Sequence, residues 1–396
     1  MSEPSIARDL RLSVVLGLAG AIGLGVARFG YALVLPDMRQ SLGWSYADAG
    51  FMNTANAAGY LIGAFSAALM VRMLGSFRTL MAGAVTCIIA LALSGLTADF
   101  TLLSIARFLG GVGAAFGFVA GGVMAAAIAS RHARRGSFLL SLFYIGPGIG
   151  IFTTGLIVPL LLDHLGPGSW ESAWLAMAAV ALVFTVALLL ARGESVEATR
   201  ATQRGRTPLT PMLALLSAYL VFGAGYIGYT TFMIAWVQTS GGSALLQSFF
   251  WSTIGIGAML SPWVFSPVIA RYRGGLAFAA LAAATVVSSA LPLLSIATPV
   301  LLVSAFVFGG ALTSVVASTT AFVRNNYPAA QLPGAIGAMT TAFGLGQVLG
   351  PVATGHITDL IGGLAAGLWV SVGLLAACSL VALLQRDFGR GGAAPD

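Results

Sequence analysis

Long apolar runs separated by short polar breaks account for most of the chain. Each run is close to the ~20 residues that an α-helix needs to cross a hydrocarbon core of ~30 Å. In the first part of the chain such runs fall at 12–35, 49–71, 79–97, 101–129, 138–162 and 173–191. A second set falls at 211–237, 244–270, 276–296, 299–323, 333–358 and 362–384. The pattern predicts an all-α membrane protein with twelve transmembrane helices. The longest polar stretch, 192–210, separates the two sets and holds Arg192, Glu194, Glu197, Arg200, Arg204 and Arg206. The expected organisation is an N-terminal six-helix half (1–191), a cytoplasmic linker (192–210) and a C-terminal six-helix half (211–396). The first run continues to Leu35, too long for a signal-peptide core, so it is expected to remain as a span.

Composition narrows the class. Charged residues make up 8% of the 396 residues, against ~25% in an ordinary soluble domain. Hydrophobic residues make up 58%, and mean hydropathy is +0.95. A soluble enzyme, a disordered chain and a disulfide scaffold are all excluded on these grounds. Cys87 and Cys378 each lie inside an apolar run and read as small hydrophobes, not as a disulfide or metal pair. No metal and no cofactor are expected.

The net charge of +7 would suit a polyanion, but its placement argues otherwise. All 19 basic residues are arginine. With the N-terminus cytoplasmic, 16 of the 19 fall in inner segments and only Arg39 in an outer loop. Asp37, Asp48, Asp99, Asp163, Glu171 and Asp359 fall on the outer side. This is the positive-inside bias. The expected partner of the basic loops is therefore the lipid bilayer, with no nucleic acid. The expected place is a bacterial cytoplasmic (inner) membrane, with both termini cytoplasmic. Two arginines are left over, Arg28 and Arg107, both within apolar runs.

The chain also repeats itself. At an offset of 198 or 199 residues, Gly30-Tyr31 falls on Gly228-Tyr229, Gly59 on Gly257, and Gly110-Gly111 on Gly309-Gly310. Arg72 and Gly75 fall on Arg271 and Gly274. Six spans return the chain to its starting side, so the halves are expected to be parallel repeats with substrate between them near the midplane. Small residues let membrane helices approach closely. Gly146, Pro147 and Gly150, and likewise Gly350 and Pro351, are expected to break their helices locally and to serve in packing or as hinges.

The residues Ala27-Arg28-Phe29-Gly30-Tyr31, Leu35-Pro36-x-Met38 and Asn53-x-x-Asn56-x-x-Gly59-Tyr60-Leu61-x-Gly63 form a recognisable set. With Arg107-Phe108-Leu109-Gly110-Gly111-Val112-Gly113 on the fourth run, the whole chain resembles the major facilitator superfamily of secondary transporters. The N-terminal fifth resembles its YbfB/YjiJ-type bacterial branch. The resemblance implies a major facilitator fold, with the first and fourth spans lining a central cavity. Gly146-Pro147-x-x-Gly150 loosely resembles a motif associated with antiporters. The loop between the second and third spans departs from the family pattern. It keeps Arg72, Gly75 and Arg78 as gating candidates but lacks the acidic residue usual beside them.

A buried arginine costs at least ~2.5 kcal/mol unless it meets water or a partner. Counted from the outer ends of their spans, Arg28 lies ~12 Å deep and Arg107 ~9 Å deep at about 1.5 Å per residue. Three readings stay open. One or both arginines could bind an anion through the planar guanidinium fork. Both could be structural, capping carbonyls or pairing with Asp37, Asp48 or Asp99. Or Arg107 could organise helices while Arg28 alone meets substrate. Further candidates for a substrate site are Tyr31, Asn53, Asn56, Tyr60, Tyr144, Tyr226, Tyr229, Trp251 and Gln347. Tyr226 holds the repeat position of Arg28 and is a candidate to face it. Asp48 reads first as a helix cap and second as a reserve coupling site.

The functional expectation is a secondary active transporter for a small organic anion, with any coupling proton entering alongside it. It is expected to act as a monomer and not as an enzyme. The alternative is an efflux antiporter for hydrophobic drugs or metabolites.

Overall fold

The computed structural model describes residues 5–132, 134–194 and 207–388, so Glu197, Arg200, Arg204, Arg206 and Arg390 lie outside the described residues. Among the described residues, twelve helices are long and apolar enough to cross a membrane. In the first half they are α1 (Ile6–Leu42), α2 (Tyr46–Leu74), α3 (Ser76–Ser94), α4 (Phe100–Ser130), α5 (Gly136–Leu165) and α6 (Trp170–Ala191). In the second half they are α7 (Thr210–Thr239), α8 (Ala244–Arg271), α9 (Leu276–Leu294), α10 (Thr298–Asn326), α11 (Ala329–Ile361) and α12 (Leu364–Leu383).

Every expected run is present, and most helices extend beyond it. Hydrocarbon thickness limits the apolar run, but a helix continues through the polar zone until a cap stops it. The start of α2 is fixed by a capping box in which Ser45 and Asp48 satisfy each other's backbone amides. Helix α1 passes through Pro36 and ends at Gly43, whose φ of 66° suits glycine. The chain turns at Ile145, between the helical pieces Gly136–Tyr144 and Gly146–Leu165, where a break was expected. The break expected at Gly350-Pro351 is absent, because α11 continues unbroken from Leu332 to Ile361. That pair is held instead by packing. A Cβ on Gly350 would collide with Ala224, and Gly50 lies against the Pro351 carbonyl.

The internal repeat reappears as repeated contacts. A Cβ on Gly59 would collide with the Phe108 carbonyl, and one on Gly257, 198 residues on, with the Phe306 carbonyl, also 198 residues on. Gly111 meets the Asn56 carbonyl and Gly309 the Ile254 carbonyl at the same offset. Thus α2 packs on α4 as α8 packs on α10. In lipid, where hiding apolar surface gains little, such backbone approach supplies the dispersion contact that holds helices together.

The halves meet where α2 packs on α11, α5 on α8, and the Tyr31–Leu42 part of α1 on α7. The two ends of the bundle differ in chemistry. At the arginine-rich end, Asp9, which is 1% exposed, takes His132 Nε2 at 2.8 Å and Arg131 at 3.4 Å. Glu194 takes Arg131 at 2.6 Å and Arg8 at 2.7 Å. Its hydrogen bond raises the Arg131 pKa further above the ordinary arginine value. At the other end, carboxylates cap helices. Asp37 accepts from the Gly168 and Trp170 amides, Asp99 from Leu102, and Asp359 from Tyr46 at 3.0 Å and Ala47 at 2.9 Å. The last cap crosses between halves: a carboxylate at the end of α11 holds the positive N-terminus of α2. Thr54 Oγ1 donates to the Val348 carbonyl at 2.7 Å deeper on the same seam.

This seam predicts an accessibility change. In a Cys87→Ser/Cys378→Ser background, Thr54→Cys should label slowly with a membrane-impermeant maleimide. Adding Gly50→Val, whose side chain must displace Pro351, should raise that labelling severalfold. Unchanged labelling would mean that α2 and α11 do not close there.

Candidate functional site

The residues Ala21–Phe29 of α1 wind as a π-helix, and the Gly30 amide reaches both the Gly25 and Val26 carbonyls at 3.2 Å. Such a segment loosens the regular ladder and leaves carbonyls available to side chains. Arg107 of α4 takes them. Its Nη1 donates to Ala27 O at 2.5 Å, and its Nη2 to Arg28 O at 3.4 Å. Its Nη2 also meets Asn53 Oδ1 at 3.0 Å, and its Nε meets Met52 O at 3.4 Å. The guanidinium lies 4.8 Å from the Tyr31 ring and 5.5 Å from that of Trp174. Asn56 Nδ2 donates to Arg107 O at 2.9 Å, fastening α2 to α4. All the charge-stabilising contacts of Arg107 thus come from the protein itself.

Arg28 is different. It is 3% exposed, and its Nη2 has no hydrogen-bond partner among the described residues. Its guanidinium lies 5.3 Å from the Tyr60 ring. Among the described residues no carboxylate lies within 4.0 Å of Arg28 or Arg107. Asp37, Asp48 and Asp99, the acids considered as partners, are occupied as helix caps.

The second half carries a buried polar pair of its own. Gln347 Nε2 of α11 donates to the Tyr226 hydroxyl of α7, while its Oε1 is buried without a partner among the described residues. Phe343, one turn before Gln347, stacks on Tyr226 with ring centroids 5.5 Å apart and planes 8° apart.

The remaining candidates lie elsewhere. Tyr31 donates to Ala49 O at 2.8 Å and stacks on Trp174, inside the first half. Asn53 spans the seam, its Nδ2 meeting Thr231 Oγ1 of α7 at 2.6 Å. Tyr229 packs on Phe308 of α10 within the second half, and Trp251 is buried in α8 with Nε1 unpartnered. Tyr144 is 50% exposed next to the Ile145 turn. Arg72 and Arg78 are exposed, and Gly75 joins α2 to α3 at a φ of 83°. Thr231 and Phe343 escaped sequence reasoning. Tyr219, Phe222 and Tyr226, spaced to share one face of α7 and stacked around Phe343, carried a signal for the aromatic wall.

Twelve spans in two pseudo-repeated six-helix halves are the architecture of a secondary transporter of the major facilitator class. Residues 20–383 match the family model described as "Uncharacterised MFS-type transporter YbfB", and the chain belongs to that family. It is 26% identical over 360 residues to "Putative transporter AraJ" of Escherichia coli (strain K12), covering 88% of each chain. The fold is similar to that of a point mutant of the nucleoside transporter NupG, with a TM-score of 0.73 at 13% identity, covering 95% of this chain and 99% of that one. It is also similar to a bacterial homolog of the human lysosomal transporter Spinster, solved inward-facing and unoccupied. There the TM-score is 0.72 at 14% identity, covering 96% of this chain and 97% of that one.

The contrast between the two arginines predicts opposite stability effects. Arg107→Met leaves buried carbonyls and Asn53 unpaired, so it should destabilise the solubilised protein by about 2–4 kcal/mol. Arg28→Met removes a buried donor that has no partner, so the ligand-free melting midpoint should hold or rise. Equal losses in thermal melts of the two variants would refute the distinction.

Proposed function

We propose that the chain moves a small organic anion across the bacterial cytoplasmic membrane by alternating access, with Arg28 receiving its carboxylate. The observation that carries this is the buried Nη2 of Arg28, left without a partner. An unpaired buried charge costs several kcal/mol, and a carboxylate offsets that cost best through the guanidinium fork. Arg107 then serves as a holder, because its donors are taken by α1 and α2. Of the three readings of the arginines, this is the divided one. The positive-inside bias supports cytoplasmic termini, and we keep residues 192–210 as the cytoplasmic linker. On that orientation the α2–α11 bonds close the outer side. Any coupling proton would travel with the substrate.

The second reading, efflux of hydrophobic compounds, draws support from the aromatic wall of Tyr219, Phe222, Tyr226 and Phe343. A cationic drug would meet Arg28 with no carboxylate near it, so an acidic or neutral lipophile is the version that fits.

Uptake into proteoliposomes, measured over a panel of small organic acids with and without a pH gradient, tests the proposal. Arg28→Ala should lower uptake of the transported acid about tenfold or more, and Arg28→Lys should not restore it, since an ammonium lacks the planar fork. Full uptake by Arg28→Lys would defeat the fork argument. Uptake of lipophilic cations alone, unaffected by Arg28→Ala, would defeat the anion reading.

A further inference from the structure

We propose that Asn53 is a relay, aimed by Arg107, whose bond to Thr231 of the opposite half sets the balance between the closed and open seam. The inference rests on the alternating-access reading but not on the nature of the substrate. Each atom of the relay has a single role. Arg107 carries donors alone, so the Asn53 atom 3.0 Å from its Nη2 must be the amide oxygen. The other end of the amide, Nδ2, is then the donor that meets Thr231 Oγ1 at 2.6 Å. Thr231 spends its own proton on the Ile227 carbonyl, also at 2.6 Å, which leaves its oxygen free to accept. Turning the Asn53 amide over would set two donors against each other at Arg107. The bonds therefore run in one direction, from Arg107 on α4 through Asn53 on α2 to Thr231 on α7. Arg107 is itself anchored on α1 through the Ala27 carbonyl.

Among the described residues, the other hydrogen bonds between α2 and the second half go to α11, from Tyr46, Ala47 and Thr54. The Asn53 bond alone reaches α7, and it alone ends on a buried cation. Asn53 is 5% exposed and Thr231 fully buried. In the closed seam, loss of the Thr231 hydroxyl would leave Asn53 Nδ2 a buried donor with nothing to bond. In an open seam the same amide meets water. Removal of the hydroxyl thus penalises the closed arrangement specifically. A hydroxyl that served only to hold α7 through Ile227 would affect both arrangements alike.

The test reads the seam from a distance. Leu96 and Leu294 lie just past α3 and at the end of α9, 72% and 70% exposed at the Asp359 end of the bundle. Spin labels at Leu96→Cys and Leu294→Cys, in the Cys87→Ser/Cys378→Ser background, give the separation of the halves by double electron–electron resonance on the full-length protein in detergent. Thr231→Val should raise the ratio of long to short separations about fivefold or more. Thr231→Ala, a second variant without the hydroxyl, should shift it the same way, and Thr231→Ser should keep the unmodified distribution. In an Asn53→Ala background, Thr231→Val should add nothing further, because the bond is already gone. Asp359→Ala, which removes the cross-half cap, serves as comparator. A shift with Asp359→Ala but none with Thr231→Val or Thr231→Ala would overturn the relay and leave alternating access standing. Equal shifts with Thr231→Ser and Thr231→Val would overturn it too, as would a full further shift in the Asn53→Ala background. One unchanged separation in every variant would overturn the alternating-access reading, and this inference with it.

Discussion

The guanidinium of Arg107 is buried among the carbonyls of Ala27, Arg28 and Met52, and the shape of α1 depends on that contact. A regular α-helix spends its carbonyls chiefly on its own amides, and the two carbonyls of α1 that Arg107 takes, those of Ala27 and Arg28, lie in the π-helical stretch. The π-helical turns at Ala21–Phe29 release acceptors, and Arg107 supplies the donors that make the release tolerable in a medium without water. Each feature would be costly alone. Together they fix the rotation of α1 at Arg28, and so the direction in which the second cation faces. The two arginines therefore differ in setting: the donors of Arg107 are taken by carbonyls and Asn53, while Arg28 Nη2 has no hydrogen-bond partner among the described residues.

Close backbone packing supplies the rigidity that such a site needs. Gly59 and Gly111 bring α2 against α4, and Gly257 and Gly309 repeat the contact between α8 and α10. Asn56, next to the first of these contacts, bonds the Arg107 carbonyl, so the packing that defines each half also sets the depth of the arginine. Glycine is needed at these positions for approach, not for flexibility. The same logic accounts for Gly350-Pro351, where a sequence that reads as a helix break serves instead as a smooth face for α2 and α7.

The number of spans, their halving and the two exceptional arginines were legible because bilayer thickness and charge placement leave plain marks in a sequence. The repeat was legible because backbone contacts demand glycine at fixed offsets. Which arginine would be satisfied internally was not legible. That depended on a π-helical segment with no compositional signature and on carbonyls, which every residue carries. The partners Thr231 and Phe343 were hidden for a related reason, since a threonine and a phenylalanine in an apolar run have many uses. The acids were readable as helix caps one by one. That Asp359 caps a helix of the opposite half required the tertiary structure.

That cross-half cap has a consequence for how the site is linked to movement. Near the Asp359 end, the seam is joined by charge-to-helix-terminus bonds, then by Thr54 to Val348, then by Asn53 to Thr231. Asn53 is also a ligand of Arg107 through Oδ1, so its two polar ends belong to different jobs. Opening this end of the seam must break the Thr231 bond and leave Asn53 held by Arg107 alone. The polar chain from the surface to the back of Arg28 is then interrupted at one amide. Opening this end of the seam therefore acts on the same amide that holds Arg107, so the closing contacts and the setting of the arginine are coupled through Asn53.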